Sequence, residues 1–148
     1  MTKSLPPKSL VLYADDDLDD IDMVKQAFEN YPNVQLLTFP NGLDLLDFIG
    51  QGKPGQPLPC LIILDINMPR KNGKEVLRDL RCISGFEEVP AVLFSTSTLP
   101  SEIEFAKSFG AAFMTKPLYS EHISELVNQL TEHCSNDVKR NIKGFGRI

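Results

Sequence analysis

The stretch Cys60-Leu61-Ile62-Ile63-Leu64-Asp65-Ile66-Asn67-Met68-Pro69 decides the fold. Its first five residues are apolar without alternation, the pattern of a strand covered on both faces and hence central in a parallel sheet. A single acid, Asp65, stands where the run ends. In an open parallel sheet the C-terminal strand edge is where ligands bind, so Asp65 is a candidate functional residue. The turn Asn67-Met68-Pro69-Arg70-Lys71-Asn72-Gly73 follows, then a helix with Val76, Leu77 and Leu80 inward.

Outward from this strand, short runs rich in Val, Ile, Leu or Phe alternate with helical periodicity, predicting a parallel α/β sheet of five strands with five helices. The other strands are expected at Ser9 to Ala14, Val34 to Phe39, Ala91 to Phe94 and Ala112 to Thr115. Leu18, Ile21, Val24, Phe28 and Tyr31 mark the inner face of the first helix, which Pro32 ends. Leu43, Leu46 and Ile49 mark the second, stopped by Gly50. Ile103, Ala106 and Phe109 mark the fourth after Pro100, and Ile123, Leu126, Val127 and Leu130 the last, with Ser120 as its cap. Residues 50 to 59, holding three Gly and three Pro, read as a surface loop. Three units are expected: an N-terminal tail over 1–8, one domain over 9–133 and a basic extension over 134–148. The extension reads as a frayed end; its alternative is docking on the core or on a second subunit through Ile142 and Phe145.

Composition narrows the function. The 148 residues carry 15 Lys and Arg against 20 Asp and Glu, a net charge of −5, the wrong sign for holding nucleic acid by phosphate neutralisation. A length of one domain leaves no room for a fused output module. Cys60, Cys82 and Cys134 form no CxxC pair, so neither a disulfide framework nor a zinc site is expected. No signal core or membrane-length apolar run is present, which predicts a cytoplasmic protein.

Six of the 20 acids fall within Asp15 to Asp22. The strand ends bring two of these, Asp15 and Asp16, to the same edge as Asp65, Ser95 and Lys116. Clustered carboxylates persist only if protonated or bound to a cation. An all-oxygen set with few ligands suits Mg²⁺ better than Ca²⁺. An EF-hand loop from Asp15 fails because Asp20 stands where Gly is needed and Gln26 where a bidentate Glu is needed. Mg²⁺ and a lysine can neutralise a transferring phosphoryl group while a strand-end carboxylate attacks it. Asp65 is the best candidate nucleophile because Asp15 and Asp16 are adjacent, as metal binding requires. Asp17, Asp19, Asp20 and Asp22 read as cap and solvent-face residues, with Asp22 placed to pair Lys25 or Gln26.

In this order and spacing, Asp15-Asp16, Leu64-Asp65-Ile66-Asn67-Met68-Pro69 with Gly73, Ser95-Thr96 and Lys116-Pro117 resemble the receiver (CheY-like) domain of two-component response regulators, from about Ser9 to His133. The resemblance implies a doubly wound, flavodoxin-like sheet in the strand order 2-1-3-4-5 and a stand-alone regulator. It makes Asp65 the phosphoacceptor, Asp16 the direct metal ligand, Asp15 the holder of metal waters and the Asn67 carbonyl a further ligand. Lys116 would pair with the phosphoryl group through a cis bond to Pro117, and Ser95 with Phe113 would form the switch. The implied partners are a histidine kinase or phosphotransfer protein and a downstream protein target, without nucleic acid or membrane. The implied assembly is a monomer or a phosphorylation-linked homodimer. Phe113 stands where many receivers carry Tyr, and Tyr13-Ala14 replaces the usual aliphatic pair, which reads as a packing difference.

Three rivals remain at this stage. A flavodoxin-like FMN binder is disfavoured because Asp15 to Asp17 would repel the phosphate. A haloacid dehalogenase-type phosphatase needs an acid where this chain has Asn67. A degenerate receiver acting as a phosphorylation-independent interaction module is at odds with all five site positions being present.

Overall fold

The computed structural model describes residues 8–52, 56–117 and 123–144. Five parallel strands run in the order β2-β1-β3-β4-β5: β1 Ser9–Ala14, β2 Val34–Phe39, β3 Leu61–Asp65, β4 Ala91–Ser95 and β5 Ala112–Thr115. Between them lie α1 Leu18–Phe28, α2 Gly42–Gly50, α3 Gly73–Leu80 and α4 Pro100–Ser108, with α5 Ile123–Leu130 and α6 Asn136–Ile142 after β5. This is the doubly wound topology that the resemblance implied.

All five residues of β3 are buried, as its unalternating run required. Strand alternation splits the core in two. Val11, Tyr13, Leu61, Ile63, Val92 and Phe94 face α1 and α5; Leu12, Ala14, Ile62, Leu64 and Leu93 face α2, α3 and α4. β3 and β4 each run one residue further than expected, because Asp65 pairs with Phe94 across the ladder and Ser95 accepts from the Lys116 amide at 2.7 Å. Asp65 and Ser95 are thus seated on strand ends.

Several details correct the expected pattern. Leu18 is 76% exposed, because Asp17 caps α1 and turns the next residue outward. Tyr31 lies beyond α1 but packs against the same cluster. On α4, Glu102 and Ala106 face inward while Ile103 is exposed. The rotation follows a local bond, since Ser97 Oγ donates to Glu102 Oε1 at 2.7 Å.

The C-terminal segment is not frayed at Ile142 but takes the alternative reading, docking on the core through that residue. It forms α6, capped by Ser135, whose side chain accepts from the Val138 amide. Ile142 is 1% exposed in the core cluster under α1 and α5. Asn141 Nδ2 donates to Ser9 Oγ at 2.7 Å and Asn33 Nδ2 to the Asn141 carbonyl at 2.9 Å, fastening α6 at the start of β1. The expected cap at Ser120, the inward face of Ile123, and Phe145 lie outside the described residues and side chains. No helix among the described residues is long and apolar enough to cross a membrane.

Candidate functional site: an acidic pocket at the strand ends

The alternation that divides the core also builds the site. Continued one residue past β1 and β5, it puts Asp15 and Lys116 on the same side of the sheet as Asp65. Asp15 is fully buried, and every donor it meets comes from its own surroundings. Its Oδ1 accepts from the Asp17 amide at 2.9 Å, and its Oδ2 from Tyr13 Oη at 2.5 Å. Lys116 Nζ reaches the same Oδ2 at 2.9 Å. Lys116 is itself buried, 3.1 Å from Asp65 Oδ1 and 2.7 Å from Asp20 Oδ2, over the Phe94 ring.

Carboxylate oxygens of Asp15, Asp16 and Asp65 lie within 4.8 Å of one another, with Asp16 exposed and the other two buried. At an effective dielectric of about 20, two such charges repel by about 3 kcal/mol. Among the described residues Asp20 joins Asp15 and Asp65 around the Lys116 ammonium, and Asp16 adds a fourth acid to the cluster. Burial, and then the charge of Asp15, push the Asp65 carboxyl up to about 7, against the pull of Lys116. For Lys116 burial acts downward, but hydrogen bonds to Asp20 and Asp15 and the charges of Asp15 and Asp65 outweigh it, so its ammonium is held more tightly than usual. The cluster therefore has an electrostatic deficit that a cation would fill. Its donor set of carboxylate oxygens fits a hard divalent ion, and exposed Asp16 gives that ion a way in.

The loop after β3 is drawn back over the strand end. The Gly73 amide donates to the Ile66 carbonyl at 3.0 Å, and a Cβ on Gly73 would come 2.3 Å from the Asp65 carbonyl oxygen. Only glycine permits that approach. Asn72 then caps α3 in a reciprocal capping box with Glu75. Buried Met68 anchors the loop, while Asn67 and Arg70 are exposed; Arg70 takes a left-handed φ of 66°.

Ser95 and Phe113 lie on the opposite parity, toward α3 and α4. Ser95 is buried, with Oγ accepting from the Ser97 amide at 3.1 Å. Phe113 is half-buried against that side's cluster. The structure thus gathers Asp15, Asp16, Asp65 and Lys116 into one pocket, and sets Asn67 on its loop and Ser95 and Phe113 beside it. One expectation is overturned: no peptide bond among the described residues is cis, so Lys116-Pro117 is trans. Trans is the intrinsic preference even before proline, and Lys116 reaches all three carboxylates with it.

Two residues of the site escaped the sequence reading. Asp20 is not a cap or solvent-face acid: with Asp17 as the N-cap it occupies the third position of α1, over the strand edge. That spacing of three was the available signal. Tyr13 is more than a packing difference, because it is two residues before Asp15 on the same strand face and its hydroxyl reaches that carboxylate.

The model of the response regulator receiver domain family matches residues 11–128. The chain belongs to the response regulator receiver family. The receiver is 33% identical to the two-component response regulator ARR17 of Arabidopsis thaliana over 124 residues, spanning 78% of this chain and 80% of that one. It is 31% identical over 98 residues to the response regulator Rcp1 of Synechocystis, 64% of this chain and 66% of the other. The Mn²⁺-bound crystal structure of Rcp1 superposes over 84% of this receiver and 93% of that chain, with a TM-score of 0.73 and 22% identity. The phosphorylated cyanobacterial phytochrome response regulator RcpA superposes over 88% and 96%, with a TM-score of 0.77 and 22% identity. These last two establish the shared fold. Receivers take a divalent metal in their acidic pocket, and in this chain Asp15, Asp16 and Asp65 form such a pocket.

Proposed function

We propose that this receiver is a cytoplasmic switch that accepts a phosphoryl group on Asp65 in a Mg²⁺-dependent reaction and signals to a protein partner. The observation that carries the reading is the position of Lys116, buried between Asp65, Asp15 and Asp20 beside a three-carboxylate cluster. The donor is a phosphohistidine of a histidine kinase or phosphotransfer protein. An Asp65 carboxylate oxygen forms the new bond to phosphorus as the nitrogen–phosphorus bond breaks, and the imidazole keeps that electron pair. The chain catalyses only its own phosphorylation and dephosphorylation.

Asp16, Asp65 and the Asn67 carbonyl would hold Mg²⁺ directly, and Asp15 would hold its waters. The ion supplies charge neutralisation for the phosphoryl oxygens. Lys116 supplies a second positive charge there by leaving its carboxylate partners. Ser95 Oγ exchanges the Ser97 amide for a phosphoryl oxygen, and the space it vacates lets Phe113 turn inward, reshaping the face formed by α4, β5 and α5. The readout is that face, met by a downstream protein or a second copy of the chain.

The test is intact mass after incubation with Mg²⁺ and acetyl phosphate or phosphoramidate. One added phosphoryl group, absent in Asp65→Asn and without Mg²⁺, is expected. No gain with either donor overturns the reading. Light scattering with and without donor distinguishes a monomer from a phosphorylation-linked homodimer.

A further inference from the structure

Tyr13 is fully buried, yet its hydroxyl is spent on Asp15 rather than on the backbone or on solvent. The ring is wedged edge-on against Phe94, whose own face lies under the Lys116 ammonium. It therefore has little freedom to leave. Asp15 Oδ2 has two donors of different character: the Tyr13 phenol at 2.5 Å on a fixed ring, and the Lys116 ammonium at 2.9 Å on a flexible stem shared with Asp20 and Asp65. Only the second can move.

From this difference we infer that Tyr13 is a positioning residue for the cation site: its hydroxyl holds the Asp15 carboxylate in place when Lys116 turns to a phosphoryl group on Asp65. Without it, the one remaining donor to Oδ2 among the described residues is the group that must depart. A buried carboxylate left short of a donor would either rotate or retain Lys116, and each outcome weakens the pocket. The inference rests on the reading of Asp15, Asp16 and Asp65 as a Mg²⁺ site. It adds a residue that touches neither cation nor phosphoryl group and acts through Asp15 alone. Partners that orient a metal's direct ligands contribute about 10- to 100-fold to metal binding, and Tyr13, which acts through Asp15 on the ion's waters, is expected at the lower end of that range.

The experiment is a calorimetric titration of Mg²⁺ into the full chain and its Tyr13→Phe, Asp15→Asn and doubly substituted variants, with the Tm of each. Tyr13→Phe keeps the ring and removes only the hydroxyl. A Kd for Mg²⁺ raised about tenfold, with less than a twofold further change when the substitution is made in Asp15→Asn, is the expected result. An unchanged Kd in Tyr13→Phe while the wild-type chain binds Mg²⁺ overturns the role of Tyr13 and leaves the cation site standing. Equal losses in both backgrounds also overturn it, because the effect would then be one of packing. A wild-type chain that binds no Mg²⁺ overturns the cation site and this inference together. A second measurement does not depend on how Tyr13→Phe folds. The chain has three Tyr and no Trp, so in Tyr31→Phe, Tyr119→Phe protein Tyr13 is the sole ultraviolet chromophore of its class. Asp15→Asn in that protein should shift the near-ultraviolet absorption of Tyr13, because its hydroxyl donates to the carboxylate, and an unchanged spectrum overturns the inference.

Discussion

Lys116 Nζ lies nearer to Asp20 Oδ2, at 2.7 Å, than to Asp65 Oδ1, at 3.1 Å. Asp20 belongs to the first turn of α1, outside the set that could coordinate the cation, and its side chain is 25% exposed. On the proposed function it therefore competes with an incoming phosphoryl group for the lysine. A partly exposed ion pair is worth about 1 kcal/mol or less. Asp20→Asn should accordingly raise the initial rate of Asp65 phosphorylation about two- to fivefold at saturating Mg²⁺, followed by intact mass over time. A fall in rate would mean that Asp20 holds Lys116 in its productive position instead.

The carboxylates of Asp15 and Asp65 repel one another in a site with one ammonium, so removing one charge should stabilise the metal-free fold. The native Asp65 carboxyl is pushed up to about 7 from an ordinary value of 3.8, first by burial and then by Asp15. A group that binds its proton more tightly folded than unfolded contributes most below pH 4, and that contribution is lost as pH rises through about 7. In EDTA, Asp65→Asn should raise Tm at pH 8 and leave it nearly unchanged at pH 4. Saturating Mg²⁺ should close the gap at pH 8 by stabilising the wild-type chain. Thermal melts at the two pH values, with and without Mg²⁺, check the sign.

The legible parts of this molecule are those in which one residue's pattern has one physical solution. The run Leu61 to Leu64 needs two covered faces, so it is central. The acids at 15, 16 and 65 and the lysine at 116 follow strand ends, so they meet. Asp20 was obscured by its five acidic neighbours, since only the cap at Asp17 decides which of them turns back over the edge. The hydroxyl of Tyr13 was hidden in an apolar strand where its ring alone accounts for its presence. On α4, a hydrogen bond from Ser97 to Glu102 outweighed the apolar preference of Ile103. The seven residues of α6 are too few for periodicity to register, and its anchors, Asn33, Asn141 and Ser9, are polar and far apart in sequence.

Arg81, just past the end of α3, fastens four carbonyls: Phe109 at 2.7 Å, Phe86 and Val89 at 2.9 Å each, and Gly110 at 3.2 Å. It ties α3 to the corner between α4 and β5. Burial lowers its guanidinium from the ordinary value, but so basic a group keeps its charge. Arg81→Met leaves those carbonyls without their donors and should lower stability by about 2–4 kcal/mol. Arg81→Lys should recover less than half of this, since a point charge cannot span the fork. Urea denaturation measures both losses, and phosphorylation of Asp65 by acetyl phosphate should persist in each folded variant.

Ile142 closes the core from the C-terminal side. It is 1% exposed and shares a cluster with Val24, Phe28, Leu130 and Cys134, although the rest of α6 is largely polar. A buried Ile truncated to Ala loses its transfer free energy and leaves a cavity, together about 2–5 kcal/mol. Ile142→Ala should therefore lower the urea midpoint by a core-sized amount, whereas Asn136→Ala on the exposed first turn of the same helix should stay within about 0.5 kcal/mol. A solvated terminus would make both substitutions neutral. The docked helix requires them to differ, with Asn141→Ala between the two because it removes the bond to Ser9 without opening the core.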